Sequence, residues 1–522
     1  MKLSIALLAS ALASANADGD SAAARMAQLR RHLSFSDIAG YPPGSQVTDH
    51  CALDLDQAAM QAQLSLMTPD SFQQAQQIYN KGGHSKSYAL ITLTVGLASD
   101  IKKGEQILGK NAAGTQVNGK AAADYESGLQ QIKVYYATTD VQESYMTCRV
   151  GALVDTMTDG CFVADGVLTI DGKEQSYVYD VATDNKADRT IAGFSTGAEK
   201  KMRNGCKGCP YPDFMDFYNY YGTDDYAHQW VEAAFEGTQT PFNRGGADFR
   251  QYGLEGREQA IKKGTVYLNI LMYVIRELED ALDDCESQSL TNNYNSVHAW
   301  DEGVCFYTGS IEGVDGVTSD GKLLHQLADK RCGNFRTCGE EGTSLDGMSK
   351  INHDLFDMFA LGNHQLSSGE CSSARQTVRQ MIPKFFVPMI QGTLRYAYKV
   401  DKLQGGEVEN AEGAVFAAAV LPKVYAISPS AAGIIYDNMK VSSNPSTDFV
   451  AVKNAFQSVY AALGITCADI GGLWFDGTQD YYEGMEPCDG AALSVQSADE
   501  NSGNQLKLIT SFCVTMLAMF SL

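Results

Sequence analysis

The 522 residues carry 63 acidic against 40 basic side chains, a net charge of −23, with 13 cysteines and 44% hydrophobic residues. Nucleic acid is excluded as a partner, because neutralising phosphates takes a basic face, whereas a negative field concentrates cations at the surface. The length gives core enough for two or three domains, and the cysteine content suits an oxidising compartment.

In chain order, Lys2, an apolar run from Leu3 to Leu12 and the small residues Ala15-Asn16-Ala17 have the order of a secretory signal over residues 1–17. Residues 18–46, with Arg25, Arg30 and Arg31 and no evident partner for them, read as a linker or trimmed pro-segment. Compact sequence begins near Cys51, and residues 47–200 form a predicted N-terminal helical region. Within it, Leu64, Leu66, Met67, Phe72, Ala75 and Ile78 follow a helical pattern that breaks at Gly82-Gly83, and residues 121–139 are expected to form a further helix. Residues 161–181 differ: the Asp171-Gly172 turn between Val167, Thr169 and Tyr177, Val178, Tyr179 predicts a β-hairpin insertion.

Residues 201–495 read as a helical repeat region. Its clearest helix spans 265–285, with Thr265 as N-cap, Leu268, Leu271, Met272, Ile275, Leu278 and Leu282 on one stripe, and Arg276, Glu277, Glu279, Asp280, Asp283 and Asp284 facing out. A helix over 374–400 runs through Pro383 and Pro388, which are expected to kink or split it, and another covers 450–463. The fold class is therefore mainly α, a helical repeat or bundle with a small β-hairpin insertion, stabilised by disulfides.

The C-terminal residues 496–522 place Ser497, Ala498 and Asp499 before a polar spacer and an apolar tail over 508–522. That tail is shorter than the roughly 20 residues that cross a bilayer, and the order matches a lipid-anchor (GPI) signal; a frayed tail and a true membrane anchor are the alternatives. Cys513 falls in that tail, leaving twelve cysteines, an even number that favours up to six disulfides. Cys206 and Cys209 have redox or metal spacing, but in a secreted chain a structural disulfide is the stronger reading.

An approximate repeat carries the chemistry. His228-Gln-Trp230-Val-Glu232 with Phe235 is echoed by His298-Ala-Trp300-Asp301-Glu302 with Phe306, and by Glu412-Gly413 with Phe416, where the histidine is lost. Histidine and glutamate four apart share one helix face, so facing helices would gather His228, Glu232, His298, Asp301, Glu302 and Glu412 around one hard cation, as helical bundles build carboxylate iron sites. Tyr226, the last of a tyrosine cluster before His228, is the candidate phenolate donor, with Tyr294 and Tyr307 secondary. The blander alternative is that each His-Glu pair is an ordinary surface hydrogen bond and Trp230 and Trp300 are core. No His-Glu-x-x-His motif or phosphate loop occurs. Gly193-Phe-Ser195-Thr-Gly197 has nucleophile-elbow spacing without the apolar strand that motif needs, and reads as a loop; the glycine-rich run at His84 and Lys86 reads as a turn.

The phrases from Ile78 to Ser87, from His298 to Gly303 continuing to Gly309, and from Ala411 to Phe416 resemble the algal Fe-assimilating, low-iron-inducible periplasmic proteins, which are grouped with the phytotransferrins. The resemblance implies a secreted, periplasmic or surface-anchored protein that captures ferric iron for uptake and is not an enzyme. It also implies carbonate as candidate synergistic anion and a membrane permease or reductase as uptake partner. Bound carbonate calls for a nearby arginine, and Arg244, Arg250 and Arg257 are nearest in sequence to the first repeat. A secreted metal-dependent hydrolase and a non-catalytic cell-surface structural protein are the competing readings.

Overall fold

The computed structural model describes residues 36–488, apart from 46, 83–87, 137–160, 180–188, 288–293 and 444–445. The predicted secretory signal, the anchor signal and the glycine-rich run at His84 lie outside the described residues. So does most of the 18–46 segment.

The described residues begin with three helices: α1 (Thr48–Cys51), α2 (Leu53–Leu64) and α3 (Pro69–Lys81). The start of α3 is set by Pro69 in its first turn and by a reciprocal Thr68–Ser71 capping box. Phe72, Ala75, Ile78 and Tyr79 then bury one face.

Six strands follow: β1 (Tyr88–Leu93), β2 (Gln106–Lys110), β3 (Gln116–Ala121), β4 (Gln131–Tyr136), β5 (Asp165–Ile170) and β6 (Lys173–Val178). They close into an antiparallel barrel in the order β1-β4-β3-β2-β5-β6, with β6 returning to β1 through Thr92 opposite Val178. The predicted hairpin is β5–β6, and its turn residues Asp171 and Gly172 have φ of 47° and 71°, the left-handed pair that such a turn demands. It belongs to a larger sheet than the sequence suggested. Of the helix expected over 121–139, the described residues 121–136 are the end of β3, a loop and a strand instead, because Ile132 and Val134 alternate inward at period two and pair with Ile91 and Ala89 of β1. The barrel has its own core, in which Phe162 fills the space left by Gly109; a side chain there would meet the Phe162 ring at 2.6 Å.

Helices dominate the rest. After α4 (Ile191–Thr196), α5 (Pro212–Tyr221) and α6 (Tyr226–Glu236) comes a continuous helical run: α7 (Leu254–Gly264), a wider π-type turn over Thr265–Ile270, and α8 (Leu271–Ser287). Thr265 is therefore mid-run rather than an N-cap, and its hydroxyl donates to the Lys262 carbonyl. The stripe from Leu268 to Leu282 is buried as expected, but so are Glu277, Glu279 and Asp283, each paired: with Arg276, with Arg375, and with the Tyr211 hydroxyl. Next are α9 (Tyr294–Thr308), α10 (Leu324–Phe335), α11 (Lys350–Ser367) and α12 (Cys371–Lys402). Pro383 and Pro388 lie within α12, which runs through both without splitting. Then come α13 (Glu407–Ile427), α14 (Pro429–Met439), α15 (Phe449–Gln457), α16 (Tyr460–Leu463) and α17 (Cys467–Ile470), before a two-stranded ribbon of β7 (Trp474–Phe475) and β8 (Asp480–Tyr481). The helix expected over 450–463 is thus two pieces.

The helices share one hydrophobic core that reaches from Ile38 to Met485. No described helix is long and apolar enough to cross a membrane. Every described cysteine is disulfide-bonded, with Cys51–Cys305, Cys206–Cys209, Cys285–Cys371, Cys332–Cys338 and Cys467–Cys488 as defined pairs. Residues 36–45 are no free linker. The amides of Ala39 and Gly40 bond the carbonyls of Gly313 and Val314, and Tyr41 and Ser45 are buried.

Candidate metal centre

His298 and Glu302 stand one turn apart on α9, and the Cys51–Cys305 disulfide clamps α1 beside them, which brings in His50. Glu302 Oε1 lies 2.7 Å from His50 Nε2 and 3.1 Å from His298 Nε2. Among the described residues this is the group of three whose donor atoms all lie within 4.8 Å of one another. His50 is buried, whereas the His298 side chain keeps 32% of its exposure, so the cluster opens to solvent on that side.

Behind α9 a hydrogen-bonded chain sets the orientation of His298. Asp301 is fully buried and accepts from Tyr41 Oη (2.5 Å), Asn363 Nδ2 (3.0 Å) and Ser45 Oγ (2.7 Å). Because Ser45 spends its one proton on that carboxylate, its oxygen can only accept from His298 Nδ1, 3.1 Å away. The proton of a neutral His298 is thereby fixed on Nδ1, and Nε2 turns a lone pair toward Glu302. Asp301, expected among the ligands, is thus placed behind His298 as a positioning residue. Burial pushes its own carboxyl up to about 6, against the hydrogen bonds from Tyr41 and Ser45.

Basic groups surround Glu302. Burial alone would raise its pKa, but the imidazoles of His50 and His298 and the Arg189 guanidinium hold it well below the usual carboxylate range. Arg189 also contacts His50 Nε2 directly. Beneath them Tyr273 bonds Lys201, and Arg276 pairs with the buried Glu277. An arginine therefore does stand at the cluster, but it is Arg189. Arg244 lies over the Tyr425 ring, Arg250 pairs with Asp248, and Arg257 bonds the carbonyls of Ala234 and Phe235.

The other expected ligands sit in separate surroundings. His228 Nδ1 meets the Tyr79 hydroxyl at 3.1 Å, and Glu232 accepts from Gln76 and Asn80 at 2.5 and 3.0 Å. Glu412 forms an ion pair with Lys263 at 2.8 Å. Tyr226 is buried against Tyr221 and donates to the Leu268 carbonyl. Tyr307 donates to Asn352 Oδ1. The three repeat copies are all helical, as expected, but they do not converge on one pocket. Ser195 lies in α4, where its oxygen accepts from the His228 amide, so it is neither a loop residue nor a nucleophile on a strand-to-helix turn.

His50, Tyr41, Ser45 and Arg189 escaped the sequence reading. His50 is a lone histidine outside the repeat, and its one signal is adjacency to Cys51. Tyr41 and Ser45 fall in the segment read as a linker. No family model, no curated protein and no solved structure matches this chain.

Proposed function

We propose that the chain is a non-enzymatic metal-capture protein whose cargo is ferric iron, bound outside the cell at His50, His298 and Glu302. The observation that carries the reading is the meeting of two imidazole nitrogens and a carboxylate oxygen at one solvent-facing point, with the His298 tautomer fixed from behind. Imidazole and carboxylate donors suit iron. The acidic surface draws cations in, the disulfides suit an oxidising compartment, and the resemblance to Fe-assimilating proteins supplies the choice of iron. In this reading Arg189 holds the synergistic carbonate, since a metal ion taking the His50 nitrogen frees the guanidinium to face an anion. Attachment through the C-terminal signal and hand-over to a permease or reductase complete the proposal.

The test is equilibrium binding of ferric iron to the secreted, anchorless protein, with and without carbonate, followed by metal analysis. One tightly bound iron per chain, lost in Glu302→Ala and weakened without carbonate, is the expected result. Binding unchanged in Glu302→Ala overturns the site.

The donor set favours one second reading. Two histidines and a glutamate also hold catalytic zinc with a position left for water. Zinc-dependent turnover of ester or peptide substrates, lost in Glu302→Ala, would establish that reading instead.

A further inference from the structure

Arg331 on α10 is only 8% exposed, and its Nε and Nη1 have no hydrogen-bond partner. A guanidinium cannot shed its proton, so burial leaves the charge in place and destabilises the fold until an anion meets it. Glu412 on α13 is the acid whose field reaches Arg331, and it is already half engaged. Its Oε1 accepts from Lys263 of α7 at 2.8 Å, while its Oε2 is buried without a partner.

Stacked rings tie these groups together. Phe416, one turn beyond Glu412 on α13, stacks on Tyr267 and on Tyr396, with ring centres 4.9 and 5.9 Å apart. The Arg331 guanidinium stands 5.7 Å from the centre of the Phe416 ring, and Arg395 Cζ and Lys399 Nζ of α12 stand 5.0 and 5.4 Å from that of Tyr396. With Lys263, four cations from three helices gather about one patch, against the carboxylates of Glu412 and of Glu409, the latter 3.7 Å from Lys399. In a chain of net charge −23 this is a local reversal of sign. Burial pushes Arg395 down to about 10, and repulsion from Arg331 adds to the shift. Burial likewise lowers Lys263 to about 8, against the pull of Glu412. Cations crowded in this way hold their protons less firmly and attract an anion more strongly. Arg395 and Lys399 are half-buried and form the open side of the patch.

We infer that Arg331, Arg395, Lys263 and Glu412 form an anion site, separate from the cluster on α9, which takes hydrogen phosphate. The unpaired atoms specify that ligand. Arg331 Nε and Nη1 are donors that need acceptor oxygens, whereas Glu412 Oε2 is an acceptor that needs a donor. An oxyanion that keeps a hydroxyl satisfies all three, its bare oxygens on the guanidiniums and its O–H on the carboxylate. The excess of two cations matches the two charges of hydrogen phosphate, where bicarbonate carries one. Sulfate has the same shape and charge but no proton at neutral pH, so it would set an oxygen against Glu412 Oε2 and is rejected.

The probe is inorganic phosphate, titrated calorimetrically at constant ionic strength and in the presence of a chelator into the secreted protein carrying Glu302→Gln, so that no metal on α9 contributes. The expected result is one phosphate per chain and a raised melting temperature, with sulfate weaker by about 100-fold or more, as a site with a buried acceptor rejects the analogue that lacks its donor. Arg331→Met keeps the bulk and removes the buried charge, so it should fold as stably without phosphate and bind none. Glu412→Gln replaces the acceptor by an amide that can donate, and sulfate should then bind about as well as phosphate. No phosphate bound overturns the inference, as do equal affinities for sulfate and phosphate in the parent or phosphate affinity unchanged by Arg331→Met. Should Arg331→Met fail to fold, Arg395→Gln on the open side decides: a loss of about tenfold is expected, and unchanged affinity counts against the site. Because Glu302 is replaced throughout, neither outcome depends on whether the α9 cluster holds iron.

Discussion

Helices α6 and α9 carry the same His-x-x-x-Glu spacing beside a tryptophan, yet their environments differ. On α6, Glu232 is met by the neutral amides of Gln76 and Asn80, and His228 by a tyrosine hydroxyl, all from α3. On α9, Glu302 is met by two imidazoles and a guanidinium. The residue after the tryptophan differs as well: Val231 packs in the core, whereas Asp301 organises Tyr41, Ser45 and Asn363 behind His298. Spacing along a helix places two side chains on one face. What they can bind is decided by the segment packed across from them.

The largest effect separating the two helices should come from Glu302→Gln, which keeps the shape and removes the anionic donor. Metal affinity should fall by about 100-fold or more, beyond the range typical of outer-shell losses, as read by competition with a chelator. Replacing Cys51 and Cys305 together by serine should cost about 2–5 kcal/mol in chemical denaturation, and should weaken metal binding because His50 loses its tether. Asp301→Asn, which blunts the feature α6 lacks, should lower affinity by about tenfold.

The same substitution has a signature in pH. The native Asp301 carboxyl is raised to about 6 by burial, so the folded state binds its proton more tightly than the unfolded state does. The resulting stabilisation is complete below the unfolded value of about 3.9 and is lost as pH rises through about 6. Melting temperatures of Asp301→Asn should therefore decline less between those limits than those of the native chain. The smallest effect is expected from His228→Ala, which should leave metal affinity within about twofold, below the range of outer-shell losses. A larger loss would show that the two helices serve one site after all.

His298 and Glu302 were legible because helical periodicity is local. His50 was not, since its place depends on a cysteine pairing that bridges 254 residues, and pairings cannot be read from spacing. The Asp171-Gly172 turn declared its hairpin through backbone chemistry alone. The other barrel strands are short, and Gly109 and Gly119 interrupt two of them; their reason is the Phe162 ring and the Val134 side chain of the neighbouring strand, which no local window contains. The helical body was foreseen from its apolar stripes, but the buried Glu277, Glu279 and Asp283 looked like surface because their basic partners Arg276 and Arg375 and the Tyr211 hydroxyl became visible only in the fold.

The barrel departs from the helical body on β1 and comes back on β6, and those two strands lie side by side. An excursion whose two ends already touch imposes little closure entropy on its host, the arrangement in which inserted modules are tolerated. The stretch between α3 and α4 is in that sense a detachable accessory. A reporter or docking tag spliced into the same doorway should therefore leave the geometry of the helical body in place.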